Sequence, residues 1–183
     1  MTTDSKKAKT GAEKINWDLS DLYKSSDDPQ LQKDKKEVLA AADKFADKYK
    51  GRIDSLSAAE FKELLKEYET IQDRGGKIGS FAYLQWSTDT SNSEYGKLVQ
   101  ESNELSSELN QKLVFFDVEW LKVDNKKAQA LINDPQLSFY SHYLDSSRRY
   151  KKHVLEEQQE QIMSAKSVTG RSAWVRFFDE TLG

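Results

Sequence analysis

Residues 91–121, SNSEYGKLVQESNELSSELNQKLVFFDVEWL, decide how this chain is read. At helical spacing they put Tyr95, Leu98, Ser102, Leu105, Leu109, Leu113, Phe116 and Trp120 on one face, in unbroken steps of three and four. The pattern predicts one long amphipathic helix of about 45 Å at ~1.5 Å per residue, enough to back several shorter helices. Ser91, with Glu94 three residues on, has the form of a capping box that satisfies orphaned backbone amides. Val114, Phe115, Val118 and Leu121 add apolar side chains on other faces of the second half. That end is therefore expected to be surrounded by protein, whereas the first half needs cover on one side only.

Upstream, Trp17, Leu19, Leu22 and Tyr23 predict a short turn of helix pinned to the core. Asp28-Pro29 opens a helix, with Asp as N-cap and Pro at the first helical position, where a missing N–H costs nothing. Its inward stripe is Leu31, Val38, Ala42, Phe45 and Tyr49, and Gly51 stands where a left-handed residue ends a helix. Ser57 and Glu60 form a second capping box, stapled by Leu56 and Phe61. Leu64, Leu65, Tyr68 and Ile71 continue that helix until Gly75-Gly76, which is expected to break or bend it because glycine loses the most backbone entropy on ordering. Ile78, Phe81, Ala82, Gln85 and Trp86 then restart a helical face.

Downstream, Asp124 caps a short helix carrying Ala128, Leu131 and Ile132, and Asp134-Pro135 repeats the capped start, with Leu137, Tyr140 and Leu144 facing inward. The basic run Arg148–His153 falls at that helix's C-terminal end, where cations complement the dipole. Residues 155–166 form another helix with Leu155, Ile162, Met163 and Ala165 as its apolar contribution. Thr169-Gly170 closes it, and Ser172 can cap a last segment with Trp174, Val175, Phe177 and Phe178. No stretch sustains period-two alternation, so the fold class is all-α: a bundle of about seven or eight helices around one long central helix.

The 183 residues contain no Cys, which excludes disulfides, thiolate zinc sites and cysteine nucleophiles. The polar, lysine-rich start is expected to be a disordered lead-in over residues 1–15, with a helical lobe over 16–183. It lacks the apolar segment of a signal peptide, and no run is long enough to span a bilayer, so a cytoplasmic location is expected. Net charge is −3 with both signs interspersed, giving no field for nucleic acid or an anionic membrane. At 32% charged and 37% hydrophobic residues, the balance fits long helices with wet outer faces.

Side chains that could carry chemistry are few. A gluzincin-type metal site needs His-Glu-x-x-His on one helix, and this pattern is absent. The two histidines, His142 and His153, have carboxylates three residues on at Asp145 and Glu156, but the order does not match a di-iron Glu-x-x-His bundle. Phe81, Tyr83, Trp86, Phe115, Phe116, Trp120, Phe139, Tyr140 and Tyr143 could line a groove, with core packing as the default. There is no Gly-x-Ser-x-Gly elbow, and Gly75-Gly76-Lys77 lacks the spacing of a phosphate loop. No catalytic, cofactor-binding or metal-ligating residue is assigned.

The ordered series of segments is more informative. Trp17-Asp18-Leu19-Ser20-Asp21-Leu22-Tyr23 with Asp27-Asp28-Pro29 resembles the opening of the oligoendopeptidase F family of zinc metallopeptidases. Gly79 to Leu84, Phe115-Phe116-Asp117-Val118-Glu119, Leu137-x-x-Tyr140-x-His142-Tyr143-Leu144, Arg148-Arg149, His153-x-Leu155-x-Glu157-x-x-Glu160 and Ser167-x-Thr169-Gly170 with Ala173-Trp174 resemble that family's N-terminal region in the same order. Where the family has Leu-Ser-Glu, this chain has Leu155-Glu156-Glu157, which removes a capping hydroxyl. The resemblance implies a non-catalytic N-terminal lobe forming one wall of a channel for short peptides. Zinc and its His-Glu-x-x-His would lie in a C-terminal catalytic half for which this chain has no counterpart. That half and an oligopeptide substrate are the implied partners, and an apolar patch at Trp174, Phe177 and Phe178 would favour self-association. The alternative is a stand-alone helical module that binds a protein or peptide and has no peptidase activity.

Overall fold

The structure, a computed structural model, describes residues 18–182. The lead-in expected over 1–15 and the anchor Trp17 lie outside the described residues. From Leu19 a single turn, closed by the Leu22 amide on the Leu19 carbonyl at 2.9 Å, delivers Tyr23 into the core.

Helix α1 (Pro29–Tyr49) starts as the Asp-Pro pair dictates: the Asp28 carboxylate accepts from the Gln30 amide at 2.8 Å. Its buried residues are Leu31, Val38, Ala42, Phe45 and Tyr49, the stripe read from spacing. Gly51 follows at φ 76°, and its amide donates to Glu119 Oε1 at 2.8 Å. Helix α2 (Ala58–Thr88) opens with the Ser57–Glu60 capping box, over a buried Leu56 and Phe61.

Gly75-Gly76 does not break α2, which continues through both as one helix of 31 residues. The reason is tertiary. A Cβ at Gly75 would stand 3.1 Å from Leu109 Cδ1, and one at Gly79 would meet Ser102 Oγ at 3.6 Å. Glycine there lets α2 approach the central helix, and the burial of Ile71, Ile78, Phe81 and Trp86 on either side outweighs the ~1 kcal/mol propensity penalty.

The central helix α3 (Ser93–Lys122) has 30 residues and buries Leu98, Ser102, Leu105, Leu109, Leu113, Phe116 and Trp120 of the predicted face, with Tyr95 half-buried. Phe115, Val118 and Leu121 are buried on other faces, so its second half is enclosed as expected. The cap is Asn92, not Ser91. Its side chain accepts from the Glu94 and Tyr95 amides at 2.9 and 3.4 Å, while the Ser91 hydroxyl is held by Asp89 at 2.6 Å. A shorter Asx turn has taken Ser91 away from the helix.

Helix α4 (Asn125–Ile132) is capped by Asp124 and buries Ala128, Leu131 and Ile132. Asp134-Pro135 opens only the 3₁₀ turn Pro135–Leu137. Helix α5 (Ser141–Arg148) begins after a further turn, yet Leu137 and Leu144 are both buried. Helix α6 (Glu157–Ser167) is not closed at Thr169-Gly170: it runs into the π-turn Val168–Ser172, kinked at Gly170, and on into α7 (Ala173–Leu182), so Ser172 lies inside the joined rod and caps no helix. The seven α-helical segments thus form six rods among the described residues, which contain no strand. None of these helices is long and apolar enough to cross a membrane.

Helices α1, α2 and α3 pack pairwise around a core in which Phe61 meets Trp120 at 5.2 Å, Tyr68 meets Phe116 at 4.9 Å and Phe45 meets Phe115 at 5.7 Å between ring centroids. Such pairs add about 0.5–1.5 kcal/mol each beyond the area they bury. Helix α6 lies on a further face of α3.

Candidate functional site

The aromatic series divides in the fold. Phe81, Trp86, Phe115, Phe116 and Trp120 are core, whereas Tyr83, Phe139 and Tyr143 are exposed. Tyr140 is half-buried and donates to Glu69 Oε2 at 2.7 Å.

Where α3 passes between α2 and α6 its surface forms a cleft of about 300 Å³, floored by Asn110, Leu113, Val114 and Asp117 and walled by Tyr68 on one side and Glu160, Met163 and Ser164 on the other. A second cleft of about 290 Å³ shares Val114, Asp117 and Glu160 and continues past Tyr150 and His153. The two form one trough along the second half of α3, with Asp117 at their junction.

Asp117 is the unusual group. Burial in a mostly apolar floor, and secondarily the negative charge of Glu160, push its pKa up to about 6. The Tyr68 hydroxyl accepts from Gln72 Nε2 at 2.9 Å, and burial together with Asp117 pushes its pKa up to about 12. The Tyr143 hydroxyl lies against that of Tyr68 and is raised further, again mainly by burial. The trough therefore offers the Tyr68 hydroxyl, a carboxyl that changes charge near neutrality, and apolar surface between them. It can hydrogen-bond an extended backbone, but it holds no nucleophile paired with a base.

Within Phe115-Phe116-Asp117-Val118-Glu119 the sequence gives Asp117 no role of its own, although its spacing sets it apart. It stands three residues after Val114 and four before Leu121, a carboxylate on an otherwise apolar helical face.

The histidines are not brought together with their neighbours in a ligand set. Both are exposed, and the carboxylates three residues on are taken by cations: Asp145 by Arg149 at 3.4 Å and Glu156 by Lys122 at 2.8 Å. Among the described residues no three His, Cys, Asp or Glu side chains converge as metal ligands.

The basic run is structural, but it serves a different helix from the one its position indicates. Arg148 donates to the carbonyls of Trp120 and Val123 at 2.7 and 3.0 Å, at the C-terminal end of α3, and lies over the Trp120 ring. The Trp120 indole in turn donates to Ser147 Oγ at 3.1 Å.

A larger groove of about 360 Å³ between Lys48, Tyr49, Arg52 and Glu60 has its polar groups already engaged, Lys48 with Glu67 at 2.6 Å and Glu60 in the capping box.

The rod α6–α7 departs most from the sequence expectation. Leu155, Ile162 and Met163, read as inward, are exposed. Instead α6 meets α3 through polar groups: the hydroxyls of Ser107 and Ser164 each donate to the other's carbonyl at 3.1 and 3.3 Å, and Gln161 donates to the Gln111 carbonyl at 3.2 Å. The start of α6 manages without a capping hydroxyl, because the Gln159 and Glu160 side chains accept from the Glu156 and Leu155 amides at 3.2 and 2.9 Å.

Residues 119–183, covering α4 to α7, match the sequence model of the family described as Oligopeptidase F. An oligoendopeptidase F homolog of Borreliella burgdorferi is 31% identical over 152 residues, 83% of this chain and 25% of that protein. Oligopeptidase PepF of Bacillus subtilis is 27% identical over 159 residues, 86% of this chain and 23% of that protein. The chain thus spans about a quarter of the length of these curated relatives. No solved structure matches it significantly.

Proposed function

We propose that this chain, which carries the N-terminal region of the oligoendopeptidase F family, is the non-catalytic lobe of a cytoplasmic zinc peptidase that cleaves oligopeptides. The trough along α3 would be part of one wall of its substrate channel. The observation that carries this reading is the trough itself: a continuous concavity bordered by Tyr68 and the Asp117 carboxyl, on a chain that spans a quarter of its relatives.

The donor set of the described residues does not fit zinc, since both histidines are exposed and their adjacent carboxylates are ion-paired, so the metal belongs to the rest of the parent protein. What these residues do is bind and orient. The Tyr68 hydroxyl fixes the register of an extended peptide, the apolar floor accommodates side chains, and a rigid wall keeps a bound backbone in one pose, which lowers the entropy lost on reaching the reactive geometry.

The test is to read the source frame past the codon for Gly183, express the whole frame and assay short internally quenched peptides. Cleavage by the long protein, with Tyr68→Phe raising KM several-fold at an unchanged unfolding midpoint, supports the reading. A frame that ends at Gly183, or a long protein that cleaves no peptide, overturns it. In that case the exposed aromatic face of α7 favours the stand-alone interaction module instead.

A further inference from the structure

We infer that the outward face of α7, made by Trp174, Phe177, Phe178 and Leu182, is the surface against which the C-terminal part of the parent chain packs. The inference rests on the lobe reading above and gives it a surface.

These four residues recur at helical spacing and form one stripe. They are 60–71% exposed, with Trp174 and Phe177 edge to face at 6.1 Å. Among the described helices α7 separates its apolar from its polar residues most sharply, yet it buries none of them. The inward side is held by a different chemistry. Arg176 reaches the Gly96 carbonyl at 3.4 Å and Glu180 at 2.6 Å, and the guanidinium lies so close over Gly96 that a Cβ there would stand 2.9 Å from it and displace it. Upstream, the serine and glutamine contacts of α6 fix the same rod to α3. A helix that finishes its own bundle turns its apolar stripe inward. This one is anchored through its polar side and turns the stripe out, as a helix does when its apolar partner comes from elsewhere.

The occupant follows from length and position. The relatives are about four times as long as the part this chain spans, and α7 is the last helix of the family match, which runs to residue 183. Chain continuing from α7 is tethered beside the stripe at high effective concentration, an advantage no separate molecule shares.

Hydrogen exchange of residues 173–182 tests this, comparing the 183-residue chain with the whole parent protein, alongside sedimentation and a separate peptide-cleavage assay. The expected result is at least tenfold slower exchange of α7 in the parent, independent of protein concentration. Phe177→Ser with Phe178→Ser in the parent is expected to restore fast exchange and open Trp174 to acrylamide quenching, leaving protection of α1, α2 and α3 unchanged. Fast α7 exchange in a parent that still cleaves peptides overturns the docking surface and leaves the lobe reading standing. Protection lost on dilution, together with a dimer-to-monomer shift, assigns the stripe to a second copy and also overturns it. Loss of cleavage in an unsubstituted parent whose α7 is protected counts against the lobe reading alone.

Discussion

The first two helices and the last two are held to the same spine by opposite means. Helices α1 and α2 meet α3 through fully buried Phe45, Phe61, Phe81, Phe115, Phe116 and Trp120. Helices α6 and α7 meet it through serine hydroxyls, a glutamine amide and one guanidinium, and bury no residue of their own. Apolar burial scales with area and forgives small displacements. Hydrogen bonds of about 0.5–1.5 kcal/mol each fix direction while adding little to stability. The bundle is therefore the part that folds the chain, and the rod is the part that is aimed.

Substitution of one phenylalanine from each side should separate the two most widely. Phe116→Ala removes a ring packed on Phe61 and Tyr68 and is expected to cost about 3–5 kcal/mol in denaturant unfolding. Phe177→Ala, on an exposed ring, should stay within about 0.5 kcal/mol.

Asp117 sits where the two regions meet, and its effect depends on pH. Its folded pKa is raised, so the folded state holds the proton more tightly than the unfolded chain. The destabilisation is present above about pH 6 and is relieved as pH falls towards the ordinary carboxylate range. Each tenfold change in proton affinity is worth about 1.4 kcal/mol, so Asp117→Asn should stabilise by roughly 2–3 kcal/mol at pH 7.5. At pH 3.5 the gain should be almost nothing, and paired thermal melts measure both.

Ser164→Ala breaks the reciprocal pair with Ser107 and should loosen α6 by about 1 kcal/mol. Exchange confined to residues 157–182, with an unchanged global midpoint, is the expected signature. The smallest contrast lies within α2. Gly76→Ala meets nothing within 4 Å and should stabilise by about 0.5–1 kcal/mol, whereas Gly75→Ala has to displace Leu109 and should gain less or lose.

What was legible in the sequence was what is local. Asp28, Ser57 and Asp124 cap their helices because the carboxyl or hydroxyl reaches an amide two or three residues on, and that reach is written in the spacing. The stripes of α1 and α3 were readable for the same reason. Gly75-Gly76 misleads because its meaning lies on α3, 34 residues away at Leu109, not in its own helix. The face of α6 misleads because hydropathy assumes that a helix packs by its apolar side, and this one does not. The burial of Asp117 is hidden in the sequence because a charged residue on a helix is ordinarily solvated. Only the fold shows that Tyr68 and α6 close over it.

Arg148 gives the spine a history as well as a shape. The carbonyls that it satisfies at Trp120 and Val123 lie 28 and 25 residues earlier in the chain. On a ribosome, the last turn of α3 emerges well before the guanidinium that completes it, and until then water must serve those carbonyls. The end of the central helix is thus sealed from downstream, so translation order makes the most enclosed part of the protein one of the later parts to become fixed.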